Sequence, residues 1–232
     1  MRTTIVAAIA VALVACGAPQ VSGSDWVTLK GVPAWRYAVH VPANGSGPAP
    51  LLLALHGAGG DAQSVARLWG WEKTLSDVIV VAPQAPNRSG TSTWRAGKDE
   101  DALLAILDEV RAKYDVDDSR TAIAGYSSGA GMAFRMAVRH PDRFRACVAI
   151  GGGRIHGERN IPTSVSFFLL AGERDRGFGP KKAERLAETL RASGVTAEAM
   201  TVRGADHITL YSKVAPAAEF LARSFRHGDP AQ

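Results

Sequence analysis

The sequence predicts an α/β fold, a mostly parallel central sheet with helices on both faces. Short, wholly apolar runs such as Leu51-Leu-Leu-Ala-Leu55 and Val78-Ile-Val-Val-Ala82 have the pattern of strands covered on both sides. Amphipathic stretches stand between these runs almost throughout, so strand and helix alternate along the chain. The 232 residues, 46% hydrophobic and 21% charged, suffice for one domain with a sizeable core and are short for two.

The first residues read as an address. Arg2 gives a positive start, and residues 5–14 run apolar without a charge. That length is about half of what a helix needs to cross a hydrocarbon core of roughly 30 Å, so a signal-peptide core is expected. Leu13-Val14-Ala15-Cys16 resembles a bacterial lipobox, which implies cleavage before Cys16 and acylation of that cysteine. The chain is therefore expected to be exported as a membrane-anchored envelope lipoprotein. Residues 1–15 form the signal, 16–30 a tether and 31–228 the folded domain.

Within the domain, residues 36–41 alternate with period two and suggest an outer, antiparallel strand. Residues 51–55 form the first buried strand and end in His56-Gly57. Asp61 can cap a helix running to about residue 75. A second buried strand, 78–82, is stopped by Pro83, and a long polar loop covers 84–98. Residues 99–114 place Leu103, Ile106, Leu107, Val110 and Tyr114 on one helical face. A short strand at 121–125 feeds a helix at 128–140, closed by Pro141. Strands at 146–150, 165–171 and 196–202 and helices at 180–193 and 214–226 complete the pattern.

Composition excludes several roles. The net charge of +5 comes from 27 basic and 22 acidic residues scattered along the chain, and no basic run is interleaved with aromatics. Nucleic-acid binding is not expected. Two cysteines cannot build a disulfide framework, and no Cys/His cluster has zinc spacing. No metal or other cofactor is expected. Cys147, in a buried-strand pattern, is expected to act as a small hydrophobe.

Gly125-Tyr126-Ser127-Ser128-Gly129 is a Gly-x-Ser-x-Gly motif between a strand and a helix, where a nucleophile elbow stands. A serine hydroxyl is a poor nucleophile at neutral pH and needs a base. Of the downstream histidines, His140 ends the helix that Ser127 opens, His156 lies in a polar loop and His227 in the tail. His207 follows the last strand, at the ligand edge of such a sheet, and is the expected base. The acid should follow the preceding strand. Asp175 is favoured there, Glu173 is the fallback and Asp206 a third candidate. His56-Gly57-Ala58-Gly59-Gly60 ends the first buried strand. The N–H groups of Ala58 and Ser128 are the candidate oxyanion donors, with His56 bracing the turn. Tyr126 and Trp94 are the candidate substrate-contacting aromatics. Trp94 could equally be a loop anchor packed on the domain.

On these residues the sequence resembles the α/β-hydrolase superfamily over roughly residues 37–225. Within it, the chain is similar to small bacterial esterases grouped with polyhydroxybutyrate depolymerases, feruloyl esterases and phospholipase/carboxylesterases. The residues that carry the likeness are His56 to Gly60, Gly125 to Gly129 with Met132, Gly172-Glu-Arg-Asp175 and Asp206-His207. The resemblance implies a Ser127–His207–Asp175 triad with Ala58 and Ser128 as oxyanion donors. It also implies a serine esterase acting on a small-molecule ester. A peptidase or thioesterase on the same triad, or a binding module without catalysis, are the alternatives. Residues 153 to 165 are too few for an inserted lid, so an open site is expected.

Overall fold

The computed structural model describes residues 26–32, 34–42, 47–68, 74–155 and 161–226. The expected signal segment, Cys16, most of the tether, His156 and His227 lie outside them. In chain order the elements are β1 (Trp26–Thr28), β2 (Arg36–His40), β3 (Ala49–Leu55), α1 (Ala62–Leu68), β4 (Ile79–Gln84), β5 (Asn87–Arg88) and β6 (Thr91–Ser92). They continue with α2 (Glu100–Lys113), β7 (Val116–Tyr126), α3 (Ser128–Arg139), β8 (Ala146–Ile150) and β9 (Ser166–Gly172). The chain then runs through α4 (Pro180–Ala192), β10 (Ala197–Val202), α5 (His207–Leu210) and α6 (Ala215–Arg226).

Among the described residues, eight strands form one sheet in the order β1-β2-β4-β3-β7-β8-β9-β10. From β4 to β10 every pair is parallel, and β1 and β2 join antiparallel at one edge. Alternate residues of β3 show why the sheet is covered twice. Leu51, Leu53 and Leu55 pack with Leu103, Ile106 and Phe134 beneath α2 and α3. Leu52 and Ala54 point the other way, into a cluster with Val65 of α1 and Phe220 and Leu221 of α6. All five β3 positions are sealed from solvent, and each leucine contributes roughly 1.5–3 kcal/mol by burial.

Three expectations change. Among the described residues the sheet already includes Trp26, so β1 lies inside the segment read as tether, ahead of the boundary expected at residue 31. Its three residues are too short to show a period, and only pairing with β2 reveals them. Strand β4 runs on through Pro83, which pairs with Tyr37. The β3 ladder has already ended at Leu53↔Val81, so the missing proline N–H is tolerated there. The long loop after β4 is not plain coil, because β5 and β6 fold it into a hairpin. Asp61 does cap α1, accepting the Ser64 N–H at 2.8 Å. Cys147 is fully buried in β8, and burial pushes its thiol far up, as befits a small hydrophobe.

Between β8 and β9, no helix or strand interrupts the described residues. Among the described residues no cluster of His, Cys, Asp or Glu could hold a metal ion, and no helix is long and apolar enough to cross a membrane.

Candidate active site

Strand β7 delivers Ser127 to a turn so tight that the serine itself has φ 54° and ψ −114°, a left-handed conformation that costs a side-chain-bearing residue energy. The turn is held by Ser127 N–H donating to Ile150 O at 2.9 Å on the neighbouring strand. The two motif glycines make it possible. A Cβ on Gly125 would stand 2.1 Å from Gly129 O, and one on Gly129 would stand 2.5 Å from the carbonyl oxygens of Leu55 and His56. Helix α3 then starts at Ser128 and packs directly on the sheet.

Three loops at the same sheet edge converge on the hydroxyl. His207 opens the one-turn helix α5 after β10, and its Nε2 lies 2.9 Å from Ser127 Oγ. Its Nδ1 lies 2.7 Å from Asp175 Oδ2, in the loop after β9. Asp175 is an ionised acceptor, so Nδ1 carries the proton and donates to it. Nε2 is thereby left free to accept from the serine. The Asp175 side chain is almost wholly buried. Burial works to raise its pKa, but the N–H of Phe178, the His207 ring and the N–H of Gly177 outweigh it and hold the carboxyl below its ordinary value. The two backbone bonds are 2.9 and 2.8 Å, both to Oδ1.

The rival acids are engaged elsewhere. Asp206 caps α5, its Oδ1 accepting the Thr209 N–H at 2.8 Å and the Thr209 hydroxyl at 2.7 Å. Glu173, the fallback acid, accepts the Gly204 N–H at 2.7 Å and ties two turns together. His140 caps the far end of α3, facing Glu100.

The turn at residues 56–60 sits beside the serine. Among the described residues no acceptor meets the Ala58 N–H or the Ser128 N–H, which leaves both available to a ligand. His56 is buried beneath the turn. Its Nδ1–H donates to Gly57 O at 2.6 Å, and its Nε2 accepts the Ala85 N–H at 3.0 Å. Burial lowers its pKa, which keeps it neutral as that pairing requires.

Trp94 corrects the reading of a substrate wall. It is only 8% exposed and packs on His56 and Trp35, with ring centroids 5.0 and 6.3 Å away. Its Nε1–H donates to His56 O at 2.7 Å. It is the anchor that holds the 56–60 turn from below, and it does not line the cavity beside Ser127. Trp94→Ala is therefore expected to cost about 3–5 kcal/mol of stability, read as a fall in Tm, with KM within about twofold of wild type. A raised KM at unchanged Tm would restore the wall. Tyr126 is likewise occupied, donating its hydroxyl to His207 O at 2.6 Å. A link that sequence reasoning missed is Asp99, fully buried, which accepts both Arg88 Nη groups at 2.6 and 2.9 Å and the Arg95 N–H at 2.8 Å. Spacing gives no signal for it, because the partners meet only once the β5–β6 hairpin forms.

Ser127 and His207 border an open cavity of about 790 Å³. Its wall combines the backbone of Gly151 to Gly153 with Ile155, Phe178 and Leu186.

A parallel sheet that presents a strained serine after β7, a carboxylate after β9 and a histidine after β10 defines an α/β-hydrolase. The chain belongs to the dienelactone hydrolase family, whose model matches residues 83–215. It is 27% identical over 158 residues to the bifunctional acetylxylan esterase/xylanase XynS20E of Neocallimastix patriciarum, a match covering 66% of this chain and 23% of that protein. It is 31% identical over 149 residues to the probable feruloyl esterase C of Aspergillus flavus, covering 60% and 54% of the two chains. A poly(3-hydroxyalkanoate) depolymerase C of Paucimonas lemoignei is 30% identical over 125 residues, 49% of this chain and 30% of that one. The chain thus spans about half or less of these curated relatives. Among solved structures, a ferulic acid esterase superposes with a TM-score of 0.71 over 88% of this chain and 98% of its own, at 20% identity. That likeness speaks for the fold.

Proposed function

We propose that this chain is a carboxylic ester hydrolase working through an acyl-enzyme on Ser127. The reading is carried by the unbroken hydrogen-bond chain from Asp175 through His207 to Ser127, 2.7 and 2.9 Å long. His207 Nε2 takes the Ser127 proton as Oγ attacks the ester carbonyl. The N–H groups of Ala58 and Ser128 hold the oxyanion that develops. The imidazolium, stabilised by Asp175, returns its proton to the leaving alcohol, and water then repeats the sequence on the acyl-enzyme. Membership of the dienelactone hydrolase family and the esterase names of the relatives support the reaction class.

The open cavity and the short β8–β9 connection favour short-chain, soluble esters. Rates on 4-nitrophenyl esters of graded acyl length are expected to be highest for acetate to hexanoate and to saturate smoothly through the solubility limit. A jump in rate once droplets form, or a preference for long-chain triglycerides, would overturn that part of the reading.

Export and lipid anchoring through Cys16 belong to the same proposal and rest on the amino-terminal sequence. Expressed in a bacterium, the wild-type chain is expected in the membrane fraction carrying label from a tagged fatty acid, and Cys16→Ser unlabelled.

A further inference from the structure

The ring of Tyr126 meets two parts of the machinery that must cooperate around Ser127. It stacks on His207, with centroids 5.2 Å apart and planes 29° from parallel. Its hydroxyl donates to the carbonyl of that same residue, and burial holds the phenol in its protonated, donating form. The same ring also lies against Gly57 of the 56–60 turn. A Cβ built on Gly57 would stand 2.8 Å from Tyr126 Cδ1, nearer than a real Cβ approaches another carbon, and a tight 3.1 Å from Cε1. Tyr211 closes a third side, edge-on at 5.0 Å. Tyr126 is half-buried, and these three neighbours fix where its ring sits.

We propose that Tyr126 is a positioning residue, a rigid spacer that fixes the distance between the oxyanion turn and His207. The inference rests on the acyl-transfer reading of Ser127 and His207 given above. Oxyanion donors and base serve the same tetrahedral intermediate, so they must be placed together as well as singly. Such groups need holding to within about 0.5 Å, and a misplacement of about 1 Å can cost 10²-fold in rate. An aromatic ring suits the task because it is flat and stiff and keeps its thickness. Spacing is a property of the ring, and the hydroxyl adds one tie to the backbone of α5. The side chain that adjoins the nucleophile in the motif thus sets the geometry on both sides of it.

The test is a double-mutant cycle on the purified full chain, read with 4-nitrophenyl butyrate and with the rate of labelling by a fluorophosphonate. Y126F keeps the spacer and is expected to lose no more than about threefold in kcat. Y126L is expected to lose roughly thirtyfold in kcat, with KM within about twofold and labelling slowed in proportion. G57A drives a methyl group against the ring and should also lower kcat at least tenfold or so. The double variant G57A/Y126L should be no slower than Y126L, because with the ring gone the added methyl group meets no clash. A Y126L enzyme with intact kcat and raised KM would make Tyr126 a substrate wall and overturn the proposal. Losses that multiply in the double variant would overturn it too. If Y126L does not fold, Y126M takes its place under the same expectations. A wild-type chain that is neither labelled nor active would instead sink the acyl-transfer reading, and this inference with it.

Discussion

Ser127→Ala is expected to leave a folded protein that hydrolyses 4-nitrophenyl butyrate about a thousandfold or more slowly than wild type. The hydroxyl contributes little to the fold. Its hydrogen bond to His207 is made at the edge of an open cavity, and the elbow is held by backbone bonds that alanine keeps. The variant should therefore melt within a few degrees of wild type, and fluorophosphonate labelling should vanish. Circular dichroism melts, the ester assay and the labelling gel together check this. A folded S127A that retains more than a tenth of the activity would remove Ser127 from the nucleophile's place. A wild-type chain that takes no label would favour a binding module on the same fold.

The parts of this site that the sequence makes legible are those whose constraint is local. Gly125 and Gly129 must be glycine because two backbones meet there, and the motif records that necessity in adjacent residues. Strands β3, β4, β8 and β9 and the second half of β7 announce themselves as apolar runs, since a strand covered twice has no polar face to vary. Where the constraint is tertiary, the sequence is silent. Trp94 reads equally as wall or anchor until its indole is seen under His56, 38 residues away. Strand β1 is three residues long and exists only through its pairing with β2. Tyr126 occupies the variable position of its motif, and nothing in the spacing reveals that its ring meets both Gly57 and His207. Glu173 and Asp175 are both acidic and lie two apart. What separates them is burial and direction, which no periodicity records.

That last ambiguity yields the sharpest contrast between two variants. Asp175→Asn is expected to lower kcat by about 10³–10⁴ with little change in shape, and Glu173→Gln to change it by less than about twofold. The reason lies in the two N–H groups of Gly177 and Phe178, both aimed at Asp175 Oδ1. An asparagine there must keep its carbonyl oxygen on those donors, which turns its NH2 toward His207 Nδ1. Two donors cannot face each other, so the imidazole shifts its proton to Nε2 and can no longer accept from Ser127. The amide introduced by E173Q, by contrast, still offers a carbonyl oxygen to the Gly204 N–H. Stability carries a second signature. The carboxyl of Asp175 is held below its ordinary value in the folded state, so its ionised form stabilises the fold above the unfolded pKa. That contribution is lost as pH falls through the lower, folded value. The difference in Tm between wild type and D175N should therefore narrow on acidification below about pH 4. Melting curves and rates for both variants across pH 3–8 check the two claims together. Normal turnover in D175N with collapse in E173Q would transfer the acid to Glu173. A Tm difference that stays constant with pH would show that Asp175 is not held below its ordinary pKa in the folded protein.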